Sequence, residues 1–138
     1  MYHDSVYPVS QLGASGLAFE AGAAGKNLTE WQFGLASLNP RWNVSGTYMQ
    51  VLPRFLSTDQ NGQEEREFLM DFFETEEDML SMVFLKGYQW PFDVNKSFGG
   101  SSVVDLLVYQ ETILKGRKVY LDFTRNPGSG PVPFEKLS

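Results

Sequence analysis

The sequence predicts an α+β fold, a small mixed or antiparallel sheet with about three or four packed helices. Three observations carry that prediction. The segments 64–73, 76–86 and 102–115 repeat apolar residues at helical spacing, the first two opening on acidic residues. The run Arg117 to Thr124 alternates Val119, Leu121 and Phe123 with Lys118, Tyr120, Asp122 and Thr124, the period of a half-buried strand. A chain of 138 residues, 42% hydrophobic and 14% aromatic, also has enough apolar surface to close a core without disulfides or metals.

Taken in order, Ser10 is placed to cap a helix reaching about Ala24, with Gly13, Gly16 and Gly22 inside it. Each interior glycine costs roughly 0.5–1 kcal/mol relative to alanine. Three together imply either a close neighbour on that face or a weak helix in a tight core. Asn27 to Leu38 is expected to be extended or irregular, stopped at Asn39-Pro40. From Trp42 to Leu56, Val44, Tyr48, Val51 and Phe55 give one or two strands, bent at Gly46 and interrupted at Pro53. Ser57 to Gly62 is a turn.

Glu64, Glu65 and Glu67 then open a helix that should bury Phe68, Leu69, Phe72 and Phe73 on one stripe. Thr75 begins the next helix, with Glu76, Glu77 and Asp78 in its first turn, where negative charge is favourable. Tyr88 to Ser102 reads as loop. The third helix closes at Gly116, in the position after a helix end that favours glycine. After the strand, the Gly- and Pro-rich tail resembles a linker.

The net charge is −6 and no basic run occurs, which argues against nucleic-acid partners. The chain has no cysteine, so thiol chemistry and iron–sulfur ligation are excluded and a reducing compartment is suited. No apolar run reaches the roughly 20 residues a membrane span needs, and the N-terminal segment lacks signal-peptide character. The expectation is a cytoplasmic chain with no membrane partner.

Motifs with their own chemistry are few. His3, the one histidine, has no nucleophile in its sequence context, and no metal-ligand spacing occurs. Gly99-Gly100-Ser101-Ser102 before a helix could offer amides to an anion, or be a loop ending in an N-cap serine. Trp31, Trp42, Tyr48, Tyr88 and Trp90 could line a flat-ligand pocket, or serve core and interface packing. Catalytic residues are not identifiable from these features.

A resemblance adds to this reading. Ala21-Gly22-Ala23, followed by Glu30, Gln32 and Phe33, resembles the A-G-A and E-x-Q-F patterns of the fumarate reductase, succinate dehydrogenase and L-aspartate oxidase flavoproteins. There these patterns join the FAD-binding domain to an inserted capping domain. More widely, the stretch from Gly16 to Asp59, with FLKGYQWPFD and GGSSVVDLLVYQETILKGRKVYLDF, is similar to bacterial FAD-dependent or NAD(FAD)-utilizing dehydrogenases. The departures are specific. Gly34 stands where the superfamily has a substrate-binding histidine, the R-D pair is missing, and so is the dinucleotide fingerprint.

The resemblance implies a segment of a larger FAD-dependent oxidoreductase that acts on a small-molecule substrate. Residues 1–26 would end the FAD-binding region, 27–125 would form a capping α+β domain, and 126–138 would lead into the rest of the parent. Near the flavin or substrate it points to Glu30, Gln32 and Gly34, then Ser45, Gly46 and Thr47, with Arg54 as a bidentate carboxylate clamp. The isolated chain is then expected to be inactive and to retain no FAD. The alternative is a non-enzymatic module that binds a ligand or another protein.

Overall fold

The computed structural model describes residues 13–28, 34–38 and 41–124. The chain divides into two units, Met1–Val44 and Ser45–Ser138. The fold class is α+β, with four α-helices and two small antiparallel sheets among the described residues.

In the first unit, helix α1 spans Ala14–Glu20. The glycines expected inside it mostly bound it. Gly13 is the N-cap at φ 91° and Gly22 follows the C-terminus at φ 90°, both left-handed conformations that glycine adopts without penalty. Gly16 alone is interior, and nothing lies within 4 Å of the position a Cβ would take there. The close neighbour that three interior glycines implied is therefore missing at Gly16. Ser10, the expected cap, lies outside the described residues. Strands β1 (Ala36–Leu38) and β2 (Arg41–Asn43) pair antiparallel, Ser37 opposite Trp42.

The second unit opens with helix α2, Gly46–Gln50, where the β-forming residues had suggested a strand. Two contacts override that propensity, one local and one tertiary. The Ser45 side chain caps the helix by accepting from the Thr47 amide, and Met49 is fully buried. Beyond the Val51 C-cap of α2, Leu52 turns the chain as a left-handed residue at φ 52° whose side chain is buried, and Pro53 prevents continuation.

Strand β3 (Arg54–Thr58) is the centre of a three-stranded sheet in the order β4-β3-β5, where β4 is Arg66–Glu67 and β5 is Lys118–Asp122. Both pairings are antiparallel, with Arg54 opposite Asp122 and Leu56 opposite Tyr120 and Glu67. The turn after β3 is tied by Asp59, whose Oδ1 accepts from the amides of Asn61 and Gln63 at 2.9 and 2.7 Å.

The helix expected over 64–73 does not form. Glu64 is left-handed at φ 54°, Arg66 and Glu67 pair with β3, and Phe68–Asp71 makes a 3₁₀ turn. The open side of β3 captures this segment, so Phe68 and Leu69 are buried while Phe72 is 57% exposed. Helix α3 (Glu76–Tyr88) forms as its acidic start and Thr75 cap required. Thr75 Oγ1 accepts from the Asp78 amide at 3.1 Å and donates to its carboxylate at 2.6 Å.

The third expected helix is α4, Val103–Tyr109, prolonged by a π-helical turn at Gln110–Leu114. It closes at left-handed Gly116, where the Arg117 amide returns to the Glu111 carbonyl at 2.9 Å. The core lies between the inner sheet face and the helices: Met49, Phe55, Phe68, Leu69, Leu80, Val83 and Val104 are buried. Phe55 and Phe68 meet edge to face at 6.3 Å. Among the described residues no helix is long and apolar enough to cross a membrane.

Candidate functional site

The register of the three-stranded sheet builds the site that holds Arg54. Alternate residues of a strand share a face, so Arg54, Leu56 and Thr58 stand with Asp122, Tyr120 and Lys118 on the side away from the helices. A groove of about 450 Å³ runs over this face, lined by Arg54, Thr58, Glu65, Tyr120 and Asp122 among others. Arg54 Nε donates to Glu67 Oε1 at 2.6 Å and its NH1 donates to Asp122 Oδ2 at 3.0 Å. The hydrogen bond to Glu67 chiefly raises the pKa of the guanidinium. Asp122 is held in turn, its Oδ1 accepting from the amide and hydroxyl of Thr124.

Among the described residues Arg54 faces Glu67, Asp122 and Glu65, while Lys118, on the same face of the sheet, donates to the Gln60 carbonyl. Both sides of the Arg54 fork are engaged by carboxylates of the chain itself. A substrate carboxylate would have to displace one of them and enter against the charge of the others.

The other expected site residues are distributed as follows. Glu30 and Gln32 lie outside the described residues. Gly34 is half-buried in the first unit, before β1. Ser45, Gly46 and Thr47 form the first turn of α2, and none of them lines the Arg54 groove. The close neighbour of Gly46 is backbone, since a Cβ there would overlap the carbonyl oxygen of Gly87. Ser101 and Ser102 are buried, with Ser101 donating to Gln89 Oε1 at 2.8 Å and Ser102 accepting from the Asp93 amide at 2.9 Å. They tie the loop to itself; Ser102 stands at the N-cap position of α4, but its side chain makes no capping bond there.

Two buried charged clusters went unmarked in the sequence. Lys86 is 0% exposed; its ammonium donates to the carbonyls of Gln89 and Trp90 and lies 2.6 Å from Asp105 Oδ2. Burial raises the Asp105 carboxyl pKa, with the Lys86 charge opposing. The second cluster centres on Glu111, 2% exposed, in the π-helical turn. It accepts from Ser57 Oγ at 2.9 Å and Lys115 Nζ at 2.5 Å, with Arg117 Nε 3.4 Å away. Burial pushes Glu111 up, but the bonds from Lys115 and Ser57 outweigh it and hold the carboxyl below its ordinary value.

Each cluster had a sequence signal, a charge in the apolar phase of a helix: Lys86 after Met79 and Val83, Glu111 after Val104 and Val108. Neither favours catalysis as it stands. Ser57 is fully buried and donates to an ionised carboxylate held at low pKa, an arrangement that staples β3 to the helix end and makes a poor nucleophile–base pair.

A second groove, of about 430 Å³, runs between the Phe72–Phe73 corner and helix α3. Neither groove counts Trp42, Tyr48, Tyr88 or Trp90 among its walls. No group of three or more metal-ligating side chains is placed to hold an ion among the described residues. No protein-family model, curated protein or solved structure matches the chain.

Proposed function

We propose that the chain serves as a covering domain of a FAD-dependent oxidoreductase, packed on the remainder of the parent and taking no chemical step alone. The observation that supports this reading is the apolar surface left open on the second unit. Phe98 is 94% exposed and Leu114 69%, with Ile113 and Val94 also exposed. Exposed side chains of this size are available to pack against a larger body. The flavoprotein resemblance of residues 16–59 supplies the kind of parent.

The described residues do not make a flavin cradle. Gly46 is backed by the Gly87 backbone, and the Arg54 fork is engaged by two carboxylates. The flavin would supply hydride chemistry in the parent, while this domain would exclude water and shape access. The test compares the 138-residue chain with its full reading frame. The isolated chain should elute colourless from gel filtration after incubation with FAD, whereas the full-length protein should keep the flavin's visible absorbance. A colourless full-length protein that takes up no FAD, or a reading frame without a dinucleotide fingerprint, would sink the proposal.

A second reading, a non-enzymatic module that binds a protein or peptide, is favoured by the groove along α3.

A further inference from the structure

The α3 groove has an apolar floor and an acidic rim. Phe72, Phe73, Met82 and Leu85 line it, and the two phenylalanine rings meet edge to face at 5.2 Å. Phe72 and Leu85 are exposed, and Met82 is half-buried. Thioether and aromatic side chains make a floor that adapts to the side chains placed on it.

Glu74 and Asp78 stand on the rim, and Glu76 and Glu77 continue the acidic run. Among the described residues none of these four carboxylates forms an ion pair with a cation. Glu76, Glu77 and Asp78 have a sufficient structural role, since they occupy the first turn of α3 where the helix dipole favours them. Glu74 does not share it. It precedes the Thr75 cap, outside the helix, and faces the groove.

The geometry points to this groove as a docking site for a basic amphipathic segment of a partner protein, a short helix whose apolar side chains enter the Phe–Met floor while its lysines or arginines meet Glu74 and Asp78. This deepens the reading of the chain as a peptide-binding module. Charge complementarity selects the occupant. A chain of net charge −6 repels acidic segments and anionic membrane surfaces, whereas an unneutralised carboxylate rim attracts a cationic helix and sets its orientation.

The test uses the complete 138-residue chain and three labelled helical peptides of about 14 residues, with apolar anchors spaced to face one side. The first carries leucine anchors and lysines, the second the same leucines with glutamates, and the third lysines with serine in place of leucine. Fluorescence anisotropy should show saturable binding of the leucine–lysine peptide, at least about tenfold tighter than either control and weakened between about 0.05 and 0.5 M salt. Glu74→Lys should weaken it by about fivefold or more and improve the leucine–glutamate peptide. Phe72→Ser should weaken it by a similar factor. Both substitutions are at exposed positions, and circular dichroism of each variant verifies folding.

Equal affinity for the lysine and glutamate peptides would overturn the basic partner while leaving a peptide-binding module standing. Absence of binding by every peptide would remove both. Sedimentation showing a dimer that Phe72→Ser dissociates would assign the groove to a second copy and likewise overturn the proposal.

Discussion

Gly46 and Gly87 bring helices α2 and α3 together backbone to backbone: a Cβ on Gly87 would lie 2.8 Å from the Gly46 carbonyl oxygen and 2.7 Å from Gln50 Cγ. The three atoms nearest to a Cβ on Gly46 are all backbone of Gly87, which cannot rotate away. On propensity alone, Gly46→Ala should stabilise α2 by roughly 1 kcal/mol. The contact reverses that sign. Gly46→Ala should destabilise the second unit by about 1–3 kcal/mol, as overpacking does elsewhere. Urea unfolding of the variant, with an unchanged slope, measures it, and a gain in stability would show that the helices are free to separate.

The Lys86–Asp105 pair gives a prediction of asymmetry. Both side chains are largely removed from water, and Lys86 also holds two carbonyls at the end of α3. Lys86→Met alone would leave a largely buried carboxylate without its counter-charge and should cost about 3–5 kcal/mol. Replacing both, Lys86→Met with Asp105→Leu, should recover most of the loss, because apolar packing replaces a desolvated pair. A double variant no better than Lys86→Met would mean that the lysine's hold on the helix-end carbonyls outweighs the ion pair.

Much of the secondary structure was legible where the signal is local. The Thr75 cap with Asp78 three residues on, the alternation of Val119 and Leu121, and Gly116 after a helix are each settled within a few residues. Residues 46–50 and 64–73 were misread because distant groups decide them. Gly87 sets how closely α2 can lie to α3, and the open side of β3 draws Arg66 and Glu67 into the sheet. The same distinction governs the clusters. Lys86 and Glu111 are charges standing in the apolar phase of their helices in the sequence, but their partners Asp105 and Ser57 are set by tertiary packing. For Arg54, the residue type suggested a clamp, and only the register with Asp122 shows what its fork holds.

Glu111 and Asp105 should make stability depend on pH in opposite senses. The folded-state pKa of Glu111 is depressed, so its stabilisation is present above the ordinary glutamate value, about 4.3, and is lost as pH falls through the lower folded value. Asp105 is raised, so its contribution is present below about 3.9 and is lost as pH rises through the folded value. Glu111→Gln isolates the first. It should cost about 1–3 kcal/mol at neutral pH, because Lys115 and Arg117 lose their counter-charge while the Ser57 bond can persist. The difference from the natural chain should shrink in acid. Denaturant midpoints measured from pH 7 down to about 3 check this, and a difference that does not change with pH would remove the ionised carboxylate from the account.

Arg54 separates a structural role from a substrate-binding one. Its guanidinium bridges β4 and β5 across β3 through Glu67 and Asp122, so it ties both outer strands of the sheet to the central one. Among the described residues Glu65 also lines this groove, so an entering anion meets the carboxylates of Glu65, Glu67 and Asp122 around Arg54. Arg54→Lys keeps the charge but loses the planar fork, and should lower stability by about 1 kcal/mol, a modest value because Glu67 is partly solvated. A small dicarboxylate such as succinate, titrated against the chain while the Arg54 Nε–H resonance is followed, should produce no saturable shift. Asp122→Asn removes one competing carboxylate and should be the variant in which such a shift emerges. Saturable binding to the unaltered chain, together with an unchanged melting temperature in Arg54→Lys, would make Arg54 a clamp whose contacts with Glu67 and Asp122 give way to substrate.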